Sequence, residues 1–296
     1  MEHISLKARA KINITLDVLG KRDDGYHELE MIMQSVNLCD NIFIKKDIHS
    51  PQINLSCEGR RLPEDERNLM YRVAKLIKER YDINEGIAMK LKKNIPVAAG
   101  LAGGSSDCAA VLYGLNILFE LNIPFEEMLD MGKSLGADVP YCLMRGTVLA
   151  SGIGEKLRRL PPFPNCFVLL AKPPVGVSTA GVFADLSLEE TIPHPDNKRV
   201  TELIKEGKLQ DICQNMQNSL EAVTIKKHPI INDIKKEMLE NGALGSMMSG
   251  SGPTVFGIYK DYPTGLASLK KIRKKFGFKE IYLTTVYNVR ANHSEL

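Results

Sequence analysis

Between Pro96 and Asp107 the chain reads P-V-A-A-G-L-A-G-G-S-S-D, a run of small residues with three glycines and two serines. An apolar helical pattern follows at once, from Cys108 to about Phe119. Residues this small let backbone N–H groups approach an anion closely, and the positive end of the helix would face the loop. Ser105, Ser106 or Asp107 could cap that helix. The chemistry such a segment suits is the cradling of phosphate; the plainer alternative is a glycine-rich turn before an ordinary helix. Neither common nucleotide motif fits. A P-loop requires G-x-x-x-x-G-K-[ST], and no lysine follows Gly103 or Gly104. A dinucleotide fingerprint requires G-x-G-x-x-G straight after a strand, a spacing that Gly100, Gly103 and Gly104 do not keep.

The elements around the loop follow from periodicity. Ala10–Val18 alternates strictly, which predicts a strand with one buried face, so that Lys11, Asn13, Thr15 and Asp17 share the other. Asp24-Gly25 is a hairpin signal, and a return strand over His27–Val36 brings Tyr26 and His27 back near the far end of the first strand. A helix is predicted from Asn68, a plausible cap, through Tyr81, and a strand over Ile87–Leu91 leads into the loop. Glu126–Leu135 reads as a helix stopped by Gly136 in the left-handed conformation. Asp138 then lies in a tight connection before a strand over Thr147–Ala150, with Pro140 biasing Val139 toward an extended conformation. After Pro161-Pro162-Phe163-Pro164 come a buried strand over 166–171 and helices over 200–204, 209–223 and 230–240. The turn Gly250-Ser251-Gly252-Pro253 is followed by a strand over 254–259, a helix over 266–275 and a strand over 281–289. Strand and helix mix without βαβ rhythm, which predicts an α+β protein of two domains, residues 1–160 and 161–296.

Composition narrows the function. With 44% hydrophobic and 25% charged residues among 296, the chain has the make-up of a globular protein. A net charge of +3 is too small to mark a nucleic-acid binder, so no nucleic-acid partner is expected, while small anions suit it. The basic run Lys270–Lys275 reads as a solvated helix face. Six cysteines without C-x-x-C or zinc spacing predict reduced thiols rather than a disulfide framework. No apolar run reaches membrane length and no signal-like segment is visible, so a cytoplasmic protein without a membrane partner is expected.

Taken together, these segments resemble the GHMP family of small-molecule kinases. Pro96, Gly100, Leu101, Gly103, Gly104, Ser105 and Ser106 match its phosphate loop, and Met248-Ser-Gly-Ser-Gly-Pro-Thr254 resembles its C-terminal glycine motif. Lys11-Ile-Asn13, the stretch from Gly20 to Glu28 and Gly136-Ala-Asp-Val-Pro140 resemble the branch whose alcohol substrate is a cytidine-diphospho-methylerythritol. The resemblance implies a two-domain α+β fold. Its N-terminal half would be like ribosomal protein S5 domain 2, its C-terminal half ferredoxin-like, with the site in the cleft between them. It implies ATP as phosphoryl donor, together with Mg²⁺ held largely by phosphate and water, since no dedicated ligand set is visible.

The same resemblance assigns roles. Pro96, Val97, Ala98, Ala99, Gly100, Leu101, Ala102, Gly103, Gly104, Ser105 and Ser106 would hold the ATP phosphates. Asp138 would take the proton of the acceptor hydroxyl, and the charge of Lys11 would favour the developing alkoxide. Asn13 would bond the polyol. Tyr26 and His27 would hold cytosine, with Phe183 either the opposite aromatic face or a core residue. Asn68 is either a neighbour of the adenine or a plain helix cap, and Gly250-Ser251-Gly252 either supports the loop or is a simple turn. The implied activity is phosphorylation of the 2-hydroxyl of the cytidylyl substrate in the non-mevalonate route to isoprenoid precursors. A kinase for another small alcohol and a silent nucleotide-binding protein are the alternatives. Where the family more often carries Ala or Asn this chain has Cys108, a thiol beside the loop whose sensitivity to alkylation the sequence leaves open.

Overall fold

The computed structural model describes residues 1–187 and 194–289; residues 188–193 and 290–296, both in the second expected domain, lie outside them. Two long strands open the chain, β1 (His3–Lys21) and β2 (His27–Asp47), joined by a turn in which Gly25 takes φ +85°. They outrun their alternating cores because β2 has strand partners along most of its length. One edge pairs with β1, and the other is shared between two further strands. The rest of this half runs β3 (Ile53–Glu58), α1 (Leu69–Arg80), β4 (Gly86–Lys92), α2 (Gly103–Leu118), α3 (Phe125–Leu135), α4 (Val139–Met144), β5 (Thr147–Gly152) and β6 (Lys156–Arg159). Residues 41–47 of β2 pair with β4, and residues 29–34 with β5.

The α1 helix forms where Met70, Val73, Ala74 and Ile77 line one buried face, and Asn68 caps it by accepting from the Met70 N–H at 3.0 Å. By contrast α2 is apolar nearly all round, with Cys108–Leu112 buried without a break, because the sheet lies on one side of it and α1 and α4 on others.

The second half continues with β7 (Phe167–Ala171), α5 (Thr179–Ala184), α6 (Asn197–Lys205), α7 (Leu209–Gln214), β8 (Gln217–Asn218), α8 (Glu221–Lys227), α9 (Ile230–Glu240), β9 (Gly245–Met248), β10 (Val255–Tyr259), α10 (Tyr262–Phe276) and β11 (Ile281–Thr285). Four of these strands form an antiparallel sheet in the order β11-β7-β10-β9. The single helix expected over 209–223 is broken by β8, which leaves this half and pairs in parallel with β1. Asn218 makes the break worthwhile: its Nδ2 donates to the carbonyls of Met248 and Gly250, and its Oδ1 accepts from the Leu220 N–H. The last described residues also return, through a bridge between Val36 and Val286.

The expected single polar face of β1 does not exist. Register shifts against β2 lie between Arg9 and Lys11 and between Asn13 and Thr15. Each exchanges the faces, as bulges do. Leu6, Ala8, Leu16 and Val18 therefore pack in one core, while Ala10, Ile12 and Ile14 pack in another with Val168, Leu170, Phe256 and Ile258. Lys11 and Asn13 point one way; Thr15 and Asp17 turn to Asn197 and Ser219.

Candidate active site

A cleft of about 510 Å³ is lined from both halves of the chain. Its floor is the loop ahead of α2. That helix begins five residues earlier than its apolar pattern, and its cap is Ala102 in the left-handed conformation with no side-chain hydrogen bond. Ser106 and Asp107 are not caps because both are buried and engaged elsewhere, Ser106 donating to the Arg9 carbonyl at 2.7 Å and Asp107 meeting Lys93. Ser105 caps nothing either. The first N–H groups of α2 are thus without partners inside the helix, the condition in which a helix end receives an anion. Positive φ at Ala98, Gly100 and Ala102 folds the loop. Two non-glycine residues held there carry strain of the kind found at ligand sites.

Two clamps hold the loop in place. The Lys11 N–H donates to the Leu101 carbonyl at 3.1 Å, and Ser249 Oγ donates to the Gly100 carbonyl at 2.9 Å. A Cβ on Gly100 would come within 2.1 Å of the Ser249 carbonyl oxygen, so only glycine lets the two segments approach. Of the loop residues, Pro96–Gly100 and Ala102–Ser105 border the cleft, whereas Leu101 and Ser106 anchor the loop from beneath.

Lys11, Asp138, Gly250 and Ser251 border the same cleft. The surroundings of Asp138 differ from expectation. Gly136 has φ 176°, an extended rather than left-handed end to α3, and Val139 is the first residue of α4 rather than extended. Pro140 tolerates this because a first-turn N–H has no helical partner to lose. Asp138 occupies the cap position of α4 but makes no capping hydrogen bond, which leaves its half-buried carboxylate to the cleft. Lys11, 5% exposed, donates from Nζ to Asn13 Oδ1 at 2.8 Å. Asn13 is fully buried beneath it and does not itself line the cleft.

Phe183, on α5, lines the cleft, and its ring stacks on that of His27 with centroids 5.0 Å apart. Burial lowers the His27 pKa, and the charge of Lys21 adds to the effect. Tyr26 stands 61% exposed at the hairpin end, outside the cleft lining. Asn68 borders the cleft, yet both ends of its amide are engaged: Oδ1 caps α1 and Nδ2 donates to the Pro63 carbonyl at 2.8 Å. Thr179, which sequence reasoning passed over, pairs its hydroxyl with that of Ser251 at 2.8 Å on the cleft wall.

Also missed was a buried charge cluster below the loop. Lys93 Nζ lies 2.6 Å from Asp40 Oδ2 and 2.5 Å from Asp107 Oδ2. Burial works against the lysine charge, but the two carboxylates outweigh it and raise its pKa. Burial likewise lifts Asp107 well above the usual carboxylate range. A signal existed: Leu91, Lys93 and Ile95 fall on one side of a period-2 pattern, which makes Lys93 inward-facing. Burial decides the open question of Cys108. It is fully buried, and burial pushes its thiol up, so it resists alkylation. Among the described residues no group of three or more His, Cys, Asp or Glu could hold a metal ion, and no helix is long and apolar enough to cross a membrane.

Comparison with known proteins agrees with this architecture. The family model for the GHMP kinases N terminal domain matches residues 68–146, and that for the GHMP kinases C terminal matches residues 200–276. A 4-diphosphocytidyl-2-C-methyl-D-erythritol kinase from Lachnospira eligens is 49% identical over 287 residues, covering 97% of this chain and 99% of its own. Its counterpart from Acetivibrio thermocellus is 53% identical over 261 residues, 88% of this chain and 92% of its own. The crystal structure of a 4-(cytidine 5'-diphospho)-2C-methyl-D-erythritol kinase matches with a TM-score of 0.83 at 29% identity, over 97% of this chain and 100% of that one. A homoserine kinase from Cytophaga hutchinsonii shares the fold, with a TM-score of 0.76 at 22% identity over 97% and 95% of the two chains. With relatives about half identical along nearly their whole length and a site built on the matching motifs, the chain belongs to the GHMP kinases.

Proposed function

We propose that this kinase transfers the γ-phosphoryl group of ATP to the 2-hydroxyl of 4-diphosphocytidyl-2-C-methyl-D-erythritol, giving the 2-phosphate and ADP in the non-mevalonate route to isoprenoid precursors. The observation that carries the mechanism is convergence: Lys11 and Asp138 border the same cleft as the uncapped start of α2. Phosphoryl transfer asks mainly for in-line positioning and charge stabilisation. The loop from Pro96 to Ser106 supplies backbone N–H groups for the phosphates. Asp138 accepts the hydroxyl proton as the oxygen attacks, and Lys11 offsets the negative charge that develops there. Asn13 fixes the Lys11 ammonium through the bond it accepts. Phe183 and His27 supply aromatic surface for the cytosine, with Tyr26 closing over it from the hairpin. Mg²⁺ bound with the nucleotide would supply neutralisation of the phosphate charge that the loop from Pro96 to Ser106 holds.

The names of the relatives support the cytidylyl substrate. An ATP-consumption assay with Mg²⁺ tests the assignment by comparing that substrate with homoserine, mevalonate and galactose. Turnover should require the cytidylyl compound and fall by about 10²- to 10⁴-fold in Asp138→Asn with the thermal midpoint unchanged. Turnover with a different alcohol would overturn the substrate, and near-wild-type turnover in the variant would remove Asp138 as the base.

A further inference from the structure

Two arginines outside the cleft lack a counter-charge. Arg145 follows α4 and is only 4% exposed, and its Nη1 is buried without a hydrogen-bond partner. Arg9, on β1, has a buried Nε in the same condition, and its guanidinium carbon lies 3.7 Å from the centre of the Tyr287 ring. Tyr287 also interacts with Arg145 through its hydroxyl, so one side chain stands beside both guanidinium groups. Among the described residues no carboxylate pairs with either arginine. Asp40, which follows the strand partner of Arg9, is taken up by Lys93 and by the N–H groups of Asn94 and Ile95. Burial lowers the Arg145 pKa, and the charge of Arg9 adds to the effect. Buried donors left unpaired are rare and costly, the more so on a charged group. The backbone raises the cost again. Arg145 has φ +56° and ψ 178°, a conformation almost confined to glycine. Glycine at this position would relieve the strain and remove a buried charge, yet the chain carries arginine.

Charge decides what completes this pair. A cation would be repelled by both guanidinium groups, and an apolar group would leave their donors unpaired. An anion answers both, because the guanidinium fork presents N–H donors and positive charge together. We propose that Arg9 and Arg145, beside Tyr287, form a site for a small inorganic anion, either chloride or a tetrahedral oxyanion. Arg9 and Tyr287 are only half-buried, which leaves the ion a way in. Neither arginine borders the cleft, so the site is separate from the glycine loop. Its position still bears on the loop. The Arg9 carbonyl accepts from Ser106 at 2.7 Å, and Arg145 ends the helix whose cap position Asp138 occupies. A bound anion thus ties the strand beneath the loop to α4.

The test is thermal unfolding of the intact chain at fixed ionic strength, with sodium gluconate replaced stepwise by sodium chloride or by sodium sulfate. Gluconate is the reference because it is too large for a site so deeply buried. The wild-type Tm should rise along a saturation curve, by roughly 3–6 °C at about twentyfold the half-saturating concentration. Sulfate also stabilises proteins in general by exclusion from their surface, without saturating, so only the saturable part is read. Arg145→Gly suits the local backbone and removes one charge, and its saturable rise should vanish. Arg9→Met keeps an unbranched side chain over Tyr287 and should lose the rise as well, so the test does not depend on one variant folding. Saturation by chloride alone supports the site and assigns a monatomic ion; saturation by sulfate alone supports it and assigns a tetrahedral one. A wild type without a saturable rise in either salt, or a rise that either variant retains in full, overturns the proposal.

Discussion

Replacing Gly100 by alanine probes the clamp on which the glycine loop depends. The added Cβ would stand 2.1 Å from the Ser249 carbonyl oxygen and 3.1 Å from that of Gly252, and the residue would keep φ +73°. Real Cβ contacts do not fall below 3.0 Å, so the loop and the turn must part. The separation is roughly 1 Å, a displacement that costs about 10²-fold in rate when it misplaces reacting groups. A left-handed alanine costs about 1–2 kcal/mol, and losing the hydrogen bond from Ser249 Oγ to the Gly100 carbonyl about 1 kcal/mol more. Some relaxation strain brings the total to about 2–4 kcal/mol, or a fall in Tm of roughly 4–8 °C for a chain of this size. Gly104→Ala is the internal control, since its Cβ would meet nothing within 4 Å. Its Tm should hold, while a methyl facing the phosphates raises the KM for ATP. Thermal unfolding together with steady-state kinetics separates the two. A Gly100→Ala protein with wild-type Tm and kcat would refute the claim that this contact sets the loop.

Phe183→Ala should raise the KM for the cytidylyl substrate about 5- to 100-fold and leave the KM for ATP unchanged; an equal change in both would place the ring outside the acceptor site. Lys93→Met leaves Asp40 and Asp107 facing each other without a counter-charge, at a cost of about 3–5 kcal/mol near pH 8. Asp107, which burial already raises, then loses the lysine that opposed that rise, so the folded form binds more protons and part of the deficit returns as the pH falls to 5. A Tm deficit that ignores pH would mean that the lysine acts through packing alone. Burial pushes the half-buried Cys57 thiol up to about 11. Iodoacetamide should therefore label it roughly 100-fold more slowly than a free cysteine at pH 8, and about tenfold faster for each pH unit up to 10. Cys108 should stay unlabelled throughout, as read by mass spectrometry, and its modification in the folded protein would contradict its burial.

Local signals were legible where one element determined the outcome. Asn68 as a cap, Gly25 in the hairpin turn and the helix over 230–240 all follow from neighbours within a few residues. What stayed hidden depended on partners far along the chain. The two face exchanges in β1 come from the register against β2, and strict alternation in one strand carries no trace of where the pairing shifts. The helical pattern over 209–223 contained Asn218, whose two hydrogen bonds to distant backbone outweigh the local preference. Within the site, the glycine loop was visible as composition, but its cap was not. Serines and an aspartate next to a helix start read as caps until the Arg9 carbonyl and Lys93 claim two of them. Val139 failed for a related reason: a six-residue helix with proline in its first turn leaves almost no periodicity to detect.

The two-residue strand β8 has a consequence for how the protein is made. Thr15 and Gln217 are neighbours in the sheet though some 200 positions separate them, and Asn218 ties that same edge to the turn that grips Gly100. A nascent chain that has emerged only as far as β6 carries the whole glycine loop, yet lacks both the strand that covers the β1 edge and the turn that shapes the loop. An uncovered edge of this kind invites pairing with other chains. Contacts across such a span also form late, after their loop-closure entropy is met. Synthesis therefore completes the support of the glycine loop near its end rather than at its middle. Shortened products of this gene would be inert and prone to aggregate instead of being weakly active.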